Sequence, residues 1–294
     1  MADAAVIALR FLQYATGSIL LGSALFLVYV LPREARPQHW AKPLLASSAI
    51  VLSLSSLAGL IAQTIALAGS VELGLTKESL QAVIADTALG KAALVRAGAA
   101  GAAATMLLLA RPGRALWTLT GLLGVVAVAS FAWMGHGADT EGSGAELHLL
   151  ADIAHALLAA IWIGALTGFL MLLLGKGSDP RTLHAALRRF SAIGVPLVAL
   201  LVATGLINSW FLVGLQNVAS LLTTDYGRLL SAKLALFAVM LMLAGANRWR
   251  HTPAVAKQGG ALAGLRSSVL AEAVLGALVL ALVAWFGMLE PPVS

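Results

Sequence analysis

The sequence predicts an all-α integral membrane protein with eight transmembrane helices. Three observations point there. The chain of 294 residues is 60% hydrophobic and 11% charged, whereas soluble domains carry about 25% charge. Its mean hydropathy is +0.92. Eight apolar runs approach or exceed the ~20 residues that cross a bilayer, and the segments between them alternate in charge.

The runs fall near 6–31, 43–69, 88–110, 115–134, 146–174, 190–213, 229–246 and 268–288. The first spans rather than being cleaved, since no small-residue cleavage site follows a short apolar core. The third is rich in Ala and Gly, and the seventh is short. The connections 32–42, 111–114, 175–189 and 247–267 hold thirteen of the nineteen Lys/Arg, with Glu34 and Asp179 as their only acids. The N-terminus, 70–91, 135–147, 214–228 and the C-terminus hold nine acids and four bases, Arg10, Lys77, Lys91 and Arg228. Basic loops stay in the cytoplasm, so both termini are expected to be periplasmic. The net charge of +6 is then an orientation signal. No aromatics interleave with the basic residues as a nucleic-acid surface requires, so nucleic acid is not an expected partner and the lipid bilayer is. With no cysteine, disulfides and thiolate metal sites are excluded.

The two halves resemble each other. Asp86 to Arg96 parallels Asp225 to Lys233: one base follows a Gly by one residue and a second follows it by six. Gly59-Leu-Ile-Ala-Gln63 parallels Gly205-Leu-Ile-Asn-Ser209, and Gln13 precedes Gly22 by nine residues as His155 precedes Gly164. This predicts two four-helix repeats, 1–134 and 135–294. Four spans per unit preserve orientation, so the repeats would be parallel.

The richest stretch is 132–155, with three of the six histidines, one Met and four acids. Ser143-x-x-Glu146 reads as a capping box that starts a helix near Gly144. On that helix His148, Asp152, His155, Ala159 and Trp162 are spaced 4, 3, 4 and 3 apart and share one stripe. Ionisable groups inside a membrane are costly and mark function or pairing. His136, His148, Asp152 and His155 are therefore candidate metal ligands, with Met134 a weaker one. Imidazole and carboxylate suit copper, zinc, nickel or iron, and a thioether favours Cu(I). The bland alternative is interfacial histidines beside an Asp152 that pairs with Lys233 or Arg96. Arg96 and Lys233 are expected to be ion-pair partners of Asp152 or Asp225, and Trp162 to pack. Gln13, Gln63 and Asn208 add polarity to the outer halves of their spans. Glu272, just inside the last span, is the one acid of the inner halves, and His39, His184 and His251 are read as solvated loop residues. No Walker A loop, Gly-x-Ser-x-Gly elbow or His-Glu-x-x-His motif is present, so neither an enzyme nor an ATP-driven pump is expected.

Several of these pieces together resemble the CopD/PcoD copper-resistance inner-membrane proteins. They are Trp133-Met-Gly-His136, His148-x-x-x-Asp152-x-x-His155 with Trp162-Ile-Gly164, and Arg189-Phe-Ser-Ala-Ile-Gly194. To these add Thr204-Gly-Leu-Ile-Asn-Ser-Trp210, Tyr226-Gly-Arg-Leu-Leu-Ser-Ala-Lys233 and Asn247-Arg248. The resemblance implies eight spans in a bacterial inner membrane and copper as the metal. It implies import as the direction and a periplasmic CopC/PcoC-like protein as donor. His136, His148, Asp152 and His155 match the family's His/Asp positions. Two other readings stand beside this one. A haem-binding electron-transfer protein needs a second deep histidine opposite His155. A metal sensor or docking module would bind at the outer mouth without passing metal on.

Overall fold

The computed structural model describes residues 2–33, 38–135, 138, 140, 142–175, 180–252 and 262–292. Among them, eight helices are long and apolar enough to cross a membrane, as expected. They are α1 (Ala2–Leu25, extended by a wider turn at Phe26–Val30), α2 (Ala41–Ala68), α3 (Ala88–Leu109) and α4 (Arg114–Ala129, ending in a tight turn at Ser130–Met134). The second four are α5 (Ala145–Leu174), α6 (Pro180–Leu212), α7 (Asp225–Ala246, extended by Asn247–His251) and α8 (Leu262–Phe286). Eight passes put both termini on one face, termed the terminal face; the opposite one is the far face.

In the second half, three starts lie four or more residues earlier than the apolar runs. α6 begins at Pro180, α7 at Asp225 and α8 at Leu262. Their first two turns carry polar residues, which lower hydropathy without weakening the helix. His184 consequently lies on α6 and not in a loop, with a buried Nδ1. Glu272 lies ten residues into α8, about 15 Å along its axis, rather than at its mouth. The acidic connections of the terminal face fold into short helices, Val71–Gly74, Lys77–Asp86 and Ser220–Thr223.

The helix starts follow from local chemistry. The hydroxyl of Thr87 accepts from Gly90 N at 2.9 Å, and that of Thr224 accepts from Gly227 N at 3.1 Å. Each satisfies one free N–H of a first turn. The expected capping box at Ser143 does not form. Gly144 is the N-cap, at φ 104°, with no side-chain cap bond. Only glycine holds that conformation at little cost, and Phe211 lies 3.0 Å from where a Cβ would sit.

α1 and α5 occupy the centre. α1 packs on α2, α4, α5 and α8, and α5 packs on α1, α4, α6 and α8. The two cross at Gly22 and Gly164. A Cβ on Gly164 would stand 2.4 Å from the Gly22 Cα, and one on Gly22 would stand 2.7 Å from the Gly164 Cα. Small residues let membrane helices approach this closely, and Ser23 Oγ donates to Gly164 O across the crossing at 3.1 Å. Leu54, Leu67, Leu109, Leu206 and Met242 point outward, as lipid-facing residues do.

Candidate metal-binding site

α5 carries the predicted stripe, and its residues part company along it. His148 is 1% exposed. Its Nδ1 lies 2.6 Å from Thr140 Oγ1, and its ring stacks on Phe211 at 4.8 Å. It is held at the mouth. One turn deeper, Asp152 and His155 line a common cavity of about 210 Å³. Arg10, Tyr14, Asn208, Tyr226 and Lys233 line it with them, drawn from α1, α6 and α7. Met134 faces another cavity, with Thr87, Thr140 and Glu146, and so is not gathered with Asp152 and His155. His136 lies outside the described residues. Among those described, no three His, Asp or Glu side chains form a group able to hold a metal ion.

Asp152 and His155 are each oriented by a partner on α6. Asn208 Nδ2 donates to Asp152 Oδ1 at 3.3 Å. The Thr204 hydroxyl gives its proton to Leu200 O at 2.8 Å and lies 3.1 Å from His155 Nδ1. With that proton committed, Thr204 Oγ1 acts as acceptor, so Nδ1 carries the imidazole proton. Nε2 keeps its lone pair, the form in which histidine ligates a metal. Gly205 allows the close approach, because a Cβ there would lie 3.3 Å from His155 Cε1. A Cβ on Gly135 would lie 3.7 Å from Asp152 Oδ2, so the chain segment leading to His136 borders the carboxylate.

The charges pair differently from expectation. Arg96, 1% exposed, pairs with no acid among the described residues. Its Nε donates to Ser56 Oγ at 3.2 Å, and its guanidinium lies over Phe131, 4.8 Å from the centroid. Asp225 pairs instead with Arg228 at 3.6 Å, on the exposed surface. Arg96 is on α3, which packs on α2 and α4, whereas Arg228 is three residues from Asp225 along α7, within side-chain reach. Lys233 is the expected partner of Asp152, but only through space: it lies over the Phe286 ring at 5.6 Å without a direct ion pair. Trp162 packs as expected, edge-on to Phe237 at 5.8 Å, and also hydrogen-bonds Glu272.

Sequence reading gave no site role to Arg10, Tyr14, Thr204 or Tyr226, although Thr204 and Tyr226 open two of the pieces that carry the resemblance. Arg10 was counted with the N-terminal flank. It is buried, donating to Gly287 O at 2.7 Å and to Met134 O at 3.0 Å, and so ties α1 to the ends of α8 and α4. A base two turns into a membrane helix was the available signal. Nothing local marked Tyr14.

The two halves differ at one helix pair. α2 and α3 pack on each other. Between α6 and α7 lies an apolar cavity of about 480 Å³, lined by His155, Trp162, Trp210, Lys233 and Phe237 among others.

The eight spans and the buried cavity that Asp152 and His155 share define a multi-pass membrane protein with a polar site inside its helices. Similarity to known proteins narrows the class. Residues 1–148 match the family described as Copper resistance protein D-like, N-terminal domain, and residues 184–286 match Copper resistance protein D. Copper resistance protein D of Pseudomonas syringae pv. tomato is 36% identical over 99% of this chain and 98% of its own length. The chain therefore belongs to the copper resistance protein D family. Copper transport protein CutJ of Bacillus subtilis is 31% identical over 55% of this chain and 28% of its own length. Inner membrane protein YebZ of Escherichia coli is 31% identical over 58% of this chain and 59% of its own. No solved structure matches.

Proposed function

We propose that this chain takes up copper at the terminal face and passes it toward the far face, which is the cytoplasmic side of a bacterial inner membrane. The observation behind this reading is that Asp152 and His155 line one buried cavity, each oriented from α6. His136, next in sequence after Gly135, completes the ligand set, and His148 receives the ion at the mouth. Copper arriving at Asp152 replaces Lys233 as its counter-charge. A CopC/PcoC-like periplasmic protein is the donor. The basic far-face connections support this orientation.

The four-plus-four duplication belongs to the same reading, and matching contacts support it. Gln13 sits against Gly59 as His155 sits against Gly205. Thr87 caps Gly90 as Thr224 caps Gly227, and Arg96 lies over Phe131 as Lys233 lies over Phe286. Gly22 and Gly164, equivalent in the two halves, touch each other, as residues beside a two-fold axis do.

Copper titration of the purified protein, with His136, His148, Asp152 and His155 replaced in turn, tests the site. Asp152→Asn and His155→Ala should weaken binding by about tenfold or more. Cellular copper should rise when the protein is overproduced and not when either variant is. Binding that is unchanged in all four variants rejects the site. Unchanged cellular copper rejects uptake and leaves a sensor or docking module.

A further inference from the structure

A second polar centre lies beyond Trp162. Glu272 is 2% exposed at mid-depth in α8. It borders a cavity of about 290 Å³, which Ser191 of α6 and Arg248 and Thr252 after α7 also line. Arg248 and Thr252 are at the far-face end of α7, and Ser191 is eleven residues into α6 from that face. Two neutral groups hold the carboxylate: Asn247 Nδ2 donates to Oε1, and the Trp162 side chain also hydrogen-bonds it. The bases and imidazole on the neighbouring stretches are Arg248 and Arg250 after α7, Arg266 on α8, and His184, Arg188 and Arg189 on α6. None forms an ion pair with Glu272 among the described residues. Arg248 donates instead to Ser191 O.

An uncompensated carboxylate at this depth is costly; such groups neutralise themselves or gain a cation. A second observation indicates which. Asn247 Oδ1 is buried without a hydrogen-bond partner. It shares a carbon with the Nδ2 that donates to Glu272, so it lies beside the carboxylate. One acceptor, the amide oxygen, lacks a donor next to a carboxylate that already accepts from the same amide. One proton on Glu272 removes the charge and supplies that donor. The lining of this cavity offers oxygen but no imidazole or thioether, the donors that distinguish a copper site, which argues against a second copper site.

We propose that Glu272 and Asn247 form a proton-binding site, loaded from the far face, whose occupancy is transmitted to the copper cavity through Trp162. Among the described residues Trp162 is the one that lines both this cavity and the apolar cavity bordered by His155 and Lys233. A proton from water in the far-face cavity converts the carboxylate to the acid. That changes the bond holding Trp162, which lies two turns beyond His155 on the stripe. The site gives the proposed copper movement a coupling ion.

The inference rests on the copper reading for its purpose and is tested separately from it. Infrared difference spectra of the purified protein between acid and alkaline pH report the carbonyl stretch of protonated carboxyl groups. A titrating band is expected in the wild type and in Asp152→Asn, lost in Glu272→Gln, and indifferent to sodium. A band that persists in Glu272→Gln overturns the proposal. So does a band that sodium removes at fixed pH, since a metal cation would then be the occupant. In proteoliposomes an imposed pH gradient should accelerate copper uptake about tenfold in the wild type and not in Glu272→Gln, whose gradient-independent flux remains. An equal response in both overturns the coupling. Wild-type vesicles that move no copper reject the transport reading, while the infrared band still decides whether Glu272 binds a proton.

Discussion

Replacing Gly164 by Ala tests the central packing of the fold. The added Cβ would lie 2.4 Å from Gly22 Cα, 2.5 Å from Gly22 C and 2.6 Å from Ser18 O. All three are backbone atoms and no rotamer change relieves them. Carbon atoms pack at about 3.5–4.0 Å, so α1 and α5 must separate by roughly 1 Å along their crossing. Overpacking costs about 1–3 kcal/mol where side chains can shift, and a backbone clash belongs at the top of that range. The Ser23 bond to Gly164 O lengthens as well, adding about 0.5–1.5 kcal/mol. The expected loss is about 4 kcal/mol. Gly98→Ala is the control, because nothing lies within 4 Å of a Cβ there, and the change should be neutral or stabilising by up to about 1 kcal/mol. Reversible unfolding in mixed detergent micelles measures both. Equal stability of the two variants would refute the close α1–α5 crossing. Because α1 and α5 line the Asp152 cavity from two sides, Gly164→Ala should also weaken copper binding.

Two further substitutions address the site and the helix starts. Thr204→Val keeps the shape but removes the acceptor of the His155 Nδ1 proton. A bond worth about 0.5–1.5 kcal/mol corresponds to a roughly two- to tenfold loss of copper affinity by titration, which Thr204→Ser should restore; unchanged affinity in Thr204→Val would remove Thr204 from the site. Thr87→Ala and Thr224→Ala should each cost about 0.5–2 kcal/mol in the same unfolding assay. Ser143→Ala should cost nothing, because Gly144 is the N-cap of α5, and a loss there comparable to the threonine variants would contradict that assignment.

The number of helices, their order and the α5 stripe were legible in the sequence because each depends on local composition. Apolar length decides whether a segment spans, and a 3.6-residue period decides which residues share a face. The starts of α6, α7 and α8 were not, since a hydropathy window discards polar first turns that still form helix. The capping box failed at Ser143 for a related reason. The motif describes a favourable bond, but the backbone conformation of Gly144, beside Phe211, sets the start of the helix.

The sequence alone thus determined a membrane protein of eight spans with an acid and an imidazole on one helix stripe. Only the tertiary structure decided which stripe residues work together. Asp152 and His155 meet Asn208 and Thr204 of α6, while His148 is drawn aside by Thr140 and Phe211. It also decided that Arg10 and Glu272 are buried deep in the protein. A stripe fixes direction from one helix axis. Convergence on a cavity depends on where the neighbouring helices stand, and that follows from contacts such as Gly22 on Gly164, 142 positions apart in the sequence.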